Sequence, residues 1–185
     1  MSKTVLLVVD IQQSLMDLDP WNKDIFIDAV SSLQRKCREK GIPVVFVRHC
    51  GKQGGPFAEG SRGWRIAPEV APLPGEAIVD KRHNSAFHET GLQSHLDGLG
   101  CDTIILAGMQ TEFCIDTTCK SAFEHGYSVT VPLEAHTTIG HETITAGELH
   151  EFYSSAIWNG RFAAVVPVEE LLESLESGGS VLTGS

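Results

Sequence analysis

Val5-Leu6-Leu7-Val8-Val9-Asp10, near the start of this 185-residue chain, is a run of five apolar residues that ends at a carboxylate. A strand with one solvated face alternates apolar and polar residues, whereas a strand buried on both faces is apolar throughout. The run is also far shorter than the ~20 apolar residues that a membrane helix needs. It therefore predicts a strand in the middle of a parallel sheet that is covered on both sides.

Segments of the same kind recur along the chain and are separated by helical patterns. Strands are predicted at 44–47, 78–79, 103–107, 127–131 and 163–166, and helices at 25–40, 91–99, 112–125, 143–158 and 168–175. Strand–helix–strand units joined by right-handed crossovers give a parallel sheet with helices on both faces. We therefore predict an α/β fold with a doubly wound, six-stranded, mostly parallel sheet in a Rossmann-like, three-layer αβα arrangement.

The composition fits one domain, which we place at residues 1–176, followed by a polar, disordered tail at 177–185. The net charge of -10 would repel nucleic acid and anionic membranes, so neither is an expected partner. The short apolar run at the N-terminus does not resemble a signal peptide. The five cysteines form no CxxC pair, which indicates free thiols in a reducing compartment and predicts a cytoplasmic protein.

Functional side chains are expected at the carboxyl ends of the strands, where ligands bind in an open parallel sheet. Asp10 follows the first predicted strand, Lys81 follows the third, and Cys114 lies in the first turn of the helix after the fourth. A helix N-terminus favours a thiolate, and Thr111 is a candidate N-cap there. Each residue also has an ordinary explanation: a helix cap for Asp10, a surface position for Lys81 and an inert, buried thiol for Cys114.

Three blocks of sequence resemble the isochorismatase-like cysteine hydrolases, which include nicotinamidases, N-carbamoylsarcosine amidases and streptothricin hydrolases. The blocks are Leu6–Gln12, Val79–Phe87 and Ala107–Thr118. The resemblance runs from about residue 5 to residue 170, and each block lies at a predicted strand end. Any single block would be weak support, whereas three blocks in the right order indicate the family strongly.

The resemblance implies a role for each residue of the site. Cys114 would attack a carbonyl carbon, Asp10 would take the thiol proton and return it to the leaving amine, and Lys81 would stabilise the charges. A cis peptide bond is implied between Met109 and Gln110, and an oxyanion hole at the N–H groups of Gln110 and Cys114. We therefore expect a hydrolase that cleaves a small-molecule amide or another non-peptide C–N bond through a thioester acyl-enzyme. A homo-oligomer, either a dimer or a tetramer, is also implied.

We expect no cofactor and no catalytic metal. Nicotinamidases of the resembled family bind a divalent metal through an Asp-x-His pair and a second histidine after the second strand. Here that stretch reads Val47-Arg48-His49-Cys50-Gly51-Lys52 and offers His49 alone, whereas a metal site needs about three protein ligands. The remaining histidines show no ligand spacing, and they are His83, His88, His95, His125, His136, His141 and His150.

Four residues are candidate substrate contacts: Gln12, Trp64, Phe87 and Thr111. Trp64 lies in the long Gly/Pro-rich connection between His49 and Pro74, and a connection of that length inside a compact domain is usually functional. Trp64 and Phe87 are explained equally well as aromatic residues of the core or of a subunit interface.

Three other functions stay open at this point: a metal-dependent nicotinamidase, an isochorismatase-type hydrolase of an enol ether, and a non-catalytic or thiol-redox α/β protein. Cys114 argues against the second, because isochorismatases of the resembled family carry another residue in its place. The absence of a resolving cysteine in a CxxC pair argues against the third.

Overall fold

The sheet has seven strands, and every pairing in it is parallel. The structure is a computed structural model that describes residues 3–177. Its strands are β1 Thr4–Val9, β2 Val44–His49, β3 Ala77–Lys81, β4 Thr103–Met109, β5 Ser128–Pro132, β6 His136–Thr137 and β7 Ala164–Val166. The order is β3-β2-β1-β4-β5-β7, with β6 paired to β4. The predicted α/β class is confirmed, and the strand beyond the predicted six is β6, whose two residues are too few to leave a pattern.

Helical segments connect the strands. The α-helices are α1 Gln13–Met16, α2 Lys23–Glu39, α3 Leu92–Leu99, α4 Asp116–Glu124, α5 Ala146–Glu151 and α6 Val168–Ser177. Short 3₁₀ turns occupy Pro68–Val70 and Leu133–Ala135, and π-helical segments occupy Thr111–Ile115 and Phe152–Trp158. The two regular helices predicted at 112–125 and 143–158 are therefore wrong in part, because apolar periodicity does not distinguish a π-turn from an α-turn.

Both faces of the sheet are covered, as the apolar run in β1 predicts. Leu6 and Val8 pack on one face with buried residues of α2 and α6. Leu7 and Val9 point to the other face, where α3 and α4 supply the partners. Since neighbouring residues of a strand point in opposite directions, one strand contributes to two separate cores, and the three-layer arrangement follows.

The long connection after β2 returns to the sheet, and hydrogen bonds hold it against the residues that follow β1. The N–H of Gln13 donates to the carbonyl of Arg65 at 2.9 Å, and the N–H of Ala67 donates to the carbonyl of Ile11 at 2.9 Å. These bonds bring the connection beside the end of β1.

At the C-terminus, Ser177 ends α6 and therefore does not belong to the predicted tail. The rest of that prediction, residues 178–185, lies outside the described residues. Among residues 3–177, no helix combines the length and the apolar character needed to cross a membrane.

Candidate active site

Asp10, Lys81 and Cys114 meet beyond the carboxyl ends of β1, β3 and β4. The Lys81 ammonium lies 2.6 Å from the Asp10 carboxylate and 3.3 Å from the Cys114 sulfur. It also donates to the carbonyl oxygen of His83 at 3.0 Å. The side chains of Lys81 and Asp10 are 0% and 1% exposed, so this is a desolvated ion pair in contact with a thiol. The structure thus brings together the three residues that the sequence picks out.

The topology of the sheet explains why they meet. From β1 the chain builds β2 and β3 on one side and then crosses to β4 on the other, so the strand order reverses between β1 and β4. Ligand sites in open α/β sheets lie at such a reversal. Asp10 directly follows β1, and the segment that carries Cys114 directly follows β4.

Gly108 allows β1 and β4 to approach each other closely at this point. It is paired with Val9, and a Cβ atom on it would lie 2.0 Å from the carbonyl oxygen of Val9. Its φ of 137° is also in the range that favours glycine. The predicted cis peptide bond between Met109 and Gln110 follows and is confirmed.

The residues after this bond form the π-helical segment Thr111–Ile115, in which Cys114 lies. The Gln110 carbonyl accepts hydrogen bonds from the N–H groups of Phe113 and Ile115, each at 3.1 Å. Within residues 3–177, no backbone hydrogen bond of a turn, loop or cap uses the N–H of Gln110 or of Cys114 as donor. These two donors are the ones that the resemblance places in an oxyanion hole.

From the sequence we expect the helix start to stabilise the thiolate form of Cys114, whereas the structure favours its thiol form. Burial, together with a smaller effect of the Asp10 carboxylate, raises its pKa to about 12, and the Lys81 ammonium opposes both effects only in part. A desolvated site disfavours the charged form of a thiol. Burial thus favours the neutral thiol of Cys114, which a base would have to activate.

Gln12 and Trp64 are close to the site, but their polar atoms are bound within the protein. The Gln12 amide nitrogen donates to the carbonyls of His49 at 3.0 Å and of Trp64 at 2.8 Å, and its oxygen accepts from the N–H of His49 at 2.8 Å. The Trp64 ring lies 3.4 Å from the guanidinium of Arg48, and its N–H donates to Cys50. Both residues fasten the long connection to β2, and their contact with substrate stays a prediction.

Phe87 and Thr111 make ring and hydrogen-bond contacts with side chains other than the three central ones. The Phe87 ring packs against the rings of His125 and Tyr127, with centroids 5.0 Å and 5.8 Å away. It lines an open groove of about 650 Å³ beside α4. Thr111 is fully buried, and its hydroxyl oxygen lies 2.9 Å from Nδ1 of His136. For these two residues as well, contact with substrate stays a prediction.

Sequence reasoning missed the exposed aromatic residue next to the nucleophile candidate. Phe113 is 40% exposed, and its ring meets His141 edge to face with centroids 5.9 Å apart. His141 in turn lies 3.0 Å from the carboxylate of Glu112. An exposed phenylalanine beside a site cysteine is a visible signal in the sequence, but the contact with His141 is long-range and leaves none.

A possible metal-binding group also escaped the sequence analysis. Within residues 3–177, the one group with three potential ligand atoms close together consists of His83, His88 and Glu89. The sequence spacing of His83 and His88 did not predict this group, because it depends on how the chain turns after β3. His49, the histidine closest to the stretch that binds metal in nicotinamidases, is not part of this group, and its Nδ1 is buried without a hydrogen-bond partner.

Comparison with known proteins agrees with the fold. The family model described as the isochorismatase domain matches residues 4–170. A streptothricin hydrolase of Streptomyces noursei is 32% identical over 136 residues, which cover 72% of this chain and 49% of the relative. The chain thus spans about half the length of that relative.

Two further proteins match over nearly the whole chain. Nicotinamidase 3 of Arabidopsis thaliana is 29% identical over 184 residues, or 92% of this chain and 87% of the relative. The crystal structure of an isochorismatase from Pseudomonas putida superposes with a TM-score of 0.84 at 27% identity, covering 91% of this chain and 89% of that one. With its fold, its site and the match over residues 4–170, the chain belongs to the isochorismatase family.

Proposed function

We propose that the protein hydrolyses a small-molecule amide or another non-peptide C–N bond, with Cys114 as the nucleophile. The observation that carries the proposal is the buried contact of an ammonium with a carboxylate at 2.6 Å and a thiol at 3.3 Å. A nucleophile, a base and a positive charge within reach of one another are the parts that acyl transfer requires. The names of the related streptothricin hydrolase and nicotinamidase 3 fit this reaction class.

The first step begins from the protonated thiol. Asp10 takes the proton from Cys114, and the sulfur attacks the carbonyl carbon of the substrate. The Lys81 ammonium stabilises the thiolate as it forms, because it lies against the sulfur. The raised pKa of Cys114 makes this proton transfer necessary and gives Asp10 its role as general base.

Collapse of the tetrahedral intermediate completes acylation. The N–H groups of Gln110 and Cys114 would hold the oxyanion, and one donor of this kind is typically worth about 10²–10³ in rate. Asp10 returns its proton to the leaving nitrogen as the C–N bond breaks, which leaves a thioester on Cys114. Water that is deprotonated by Asp10 then attacks the thioester, and the acid and the free thiol are formed.

A screen for amine release tests the proposal. Small amides, ureas and lactams are incubated with the full-length protein, and ammonia or amine is measured together with the intact mass of quenched samples. We expect turnover of at least one compound and an acyl adduct that maps to Cys114. Cys114→Ala should lower the rate by about 10³-fold or more, as loss of a nucleophile does elsewhere.

Cys101→Ala is the matched control, because this cysteine is also partly buried and its sulfur donates to the nearby Thr103 carbonyl. It should retain the rate and the adduct. Turnover that survives in Cys114→Ala, or an adduct on another residue, would show that the nucleophile is not Cys114.

A further inference from the structure

Three side chains from the segment after β3 converge on one point at the surface. His83, His88 and Glu89 each offer a ligand atom, and these atoms lie within 4.8 Å of one another. Nε2 of His83 is 3.1 Å from the Glu89 carboxylate, and the two imidazole rings meet at 84° with centroids 4.2 Å apart. Two imidazoles and a carboxylate therefore face a common centre.

The backbone that carries these groups is fixed to the body of the protein. The hydroxyl of Ser85 donates to that of Ser121 on α4 at 2.9 Å, and the N–H of Ala86 donates to the Thr118 hydroxyl at 3.1 Å. Glu89 has a φ of 53°, a left-handed conformation that turns the chain after His88. A pre-arranged donor set loses less conformational freedom when a ligand binds.

We propose that His83, His88 and Glu89 form a binding site for a divalent transition-metal ion of the zinc, cobalt or nickel type. Imidazole nitrogen with carboxylate oxygen is a donor set that such ions prefer over magnesium or calcium. Three protein ligands leave at least one coordination position for water or a small ligand. The groove of about 650 Å³ lies beside these residues and is also lined by Thr117, Ser121 and His125, which gives that position access to solvent.

The site differs in place from the one that the resemblance associates with nicotinamidases, which follows β2. It is nevertheless close to the reacting groups, because the carbonyl of His83 accepts a hydrogen bond from Lys81 at 3.0 Å. The net charge of -10 also favours the approach of a cation. Binding of the ion requires no assumption about the reaction, so the binding experiment and the screen for amine release can fail independently of each other.

Cobalt titration of the untagged, metal-stripped protein tests the site. Visible absorption reports the coordination of Co²⁺, and calorimetry with Zn²⁺ reports stoichiometry and affinity. We expect one ion per chain. His88→Ala and Glu89→Gln should each weaken binding by at least about tenfold, since even indirect partners of a metal ligand are commonly worth 10–100-fold.

His95→Ala is the matched control, because it removes an imidazole from α3, outside the group. It should bind like the parent protein, and all variants should show the parent's circular dichroism because the changed side chains of the site are exposed. No saturable binding by the parent protein, or equal binding by the parent and His88→Ala, would overturn the proposal.

Discussion

Lys81 is the residue on which the arrangement of the site depends. Its ammonium forms an ion pair with the Asp10 carboxylate at 2.6 Å and donates hydrogen bonds to the His83 carbonyl at 3.0 Å and the Cys114 sulfur at 3.3 Å. Lysine is almost never buried unless it is paired. Its complete burial here therefore makes the pair with Asp10 a condition of the fold as well as of the proposed chemistry.

Removal of one charge of this pair should cost more stability than removal of both. Lys81→Met leaves the Asp10 carboxylate buried and unpaired, and we expect the free energy of unfolding to fall by roughly 3–5 kcal/mol. In the double variant Asp10→Asn/Lys81→Met no charge is left behind, so much of this loss should be recovered. Asparagine also tolerates the left-handed backbone that residue 10 adopts, with φ of 54°. Urea unfolding measures both effects.

The same variants separate stability from chemistry. The double variant should be folded but inactive, because the base and the ammonium are both absent. If its loss of stability equals the sum of the losses in Lys81→Met and in the single variant Asp10→Asn, the buried pair does not have the coupling that its 2.6 Å separation indicates.

At this scale the sequence predicts the identity of the central residues but not the bonds around them. Positions after a strand or at a helix start make Asp10, Lys81 and Cys114 candidates, and the family resemblance assigns their roles. Gln12 also follows β1, but whether its amide faces a substrate or holds the long connection depends on where His49 and Trp64 lie. The protonation of Cys114 is equally unreadable, because it depends on burial and on Asp10 rather than on position in a helix.

Among the elements, the π-helical segment Thr111–Ile115 is held by a buried chain of hydrogen bonds. The Ser154 hydroxyl donates to the carbonyl of His150 at 2.7 Å, so it must accept from Nε2 of His136, which is 3.1 Å away. The His136 proton is then on Nε2, and Nδ1 accepts from the Thr111 hydroxyl at 2.9 Å. The first residue of the segment is thereby fixed to β6 and, through it, to the second π-helical segment.

Thr111→Val should test this chain of bonds with little change of shape. It removes the donor to Nδ1 of His136, and a buried acceptor without a partner costs about 1–3 kcal/mol. We expect a lower free energy of unfolding in urea. Because the segment contains Cys114 and directly follows Gln110, we also expect a lower kcat with a smaller change in KM.

Thr111→Ser keeps the hydroxyl and serves as the matched control, so it should resemble the parent in kcat. If the valine and serine variants prove equally active and equally stable, the hydroxyl has no part in holding the segment. The sequence suggested Thr111 as a helix N-cap, but the structure has Gln110 in that position without a side-chain cap. The bond to His136 spans 25 residues, and no local pattern predicts it.

At the scale of the whole molecule, the sequence predicts the parallel three-layer architecture, because β1 and β4 each contain a long apolar run. It does not predict the order of the strands. The site forms only because β4 lies beside β1 rather than beside β3, and this choice is made by long-range packing.

The buried histidines are a second global feature. His136 and His150 stack at 4.1 Å between centroids, and burial lowers the pKa of both, that of His136 well below its ordinary 6.5.

These two histidines should make the protein less stable in mild acid. Below pH 6.5 the unfolded chain takes up protons on residues that the folded protein keeps neutral, so the free energy of unfolding falls as the pH is lowered. The slope should reach up to about 1.4 kcal/mol per pH unit for each histidine. Their stabilising contribution is complete above pH 6.5, and urea unfolding at a series of pH values down to about 5 measures it while the carboxyl groups are still largely ionised.

His150→Gln should flatten this slope, because glutamine can still donate to the Leu133 carbonyl that His150 meets at 2.8 Å but does not titrate. His95→Gln, on the surface side of α3, should leave the slope as it is in the parent. At high pH, stability depends on other residues. Burial raises the pKa of Cys37 and of Cys119 to about 12. Above pH 9 these thiols therefore ionise only in the unfolded chain, which favours unfolding. Equal acid slopes in the parent and His150→Gln would mean that the stacked pair is protonated in the folded state, which its burial among Thr111, Ser154 and Trp158 argues against.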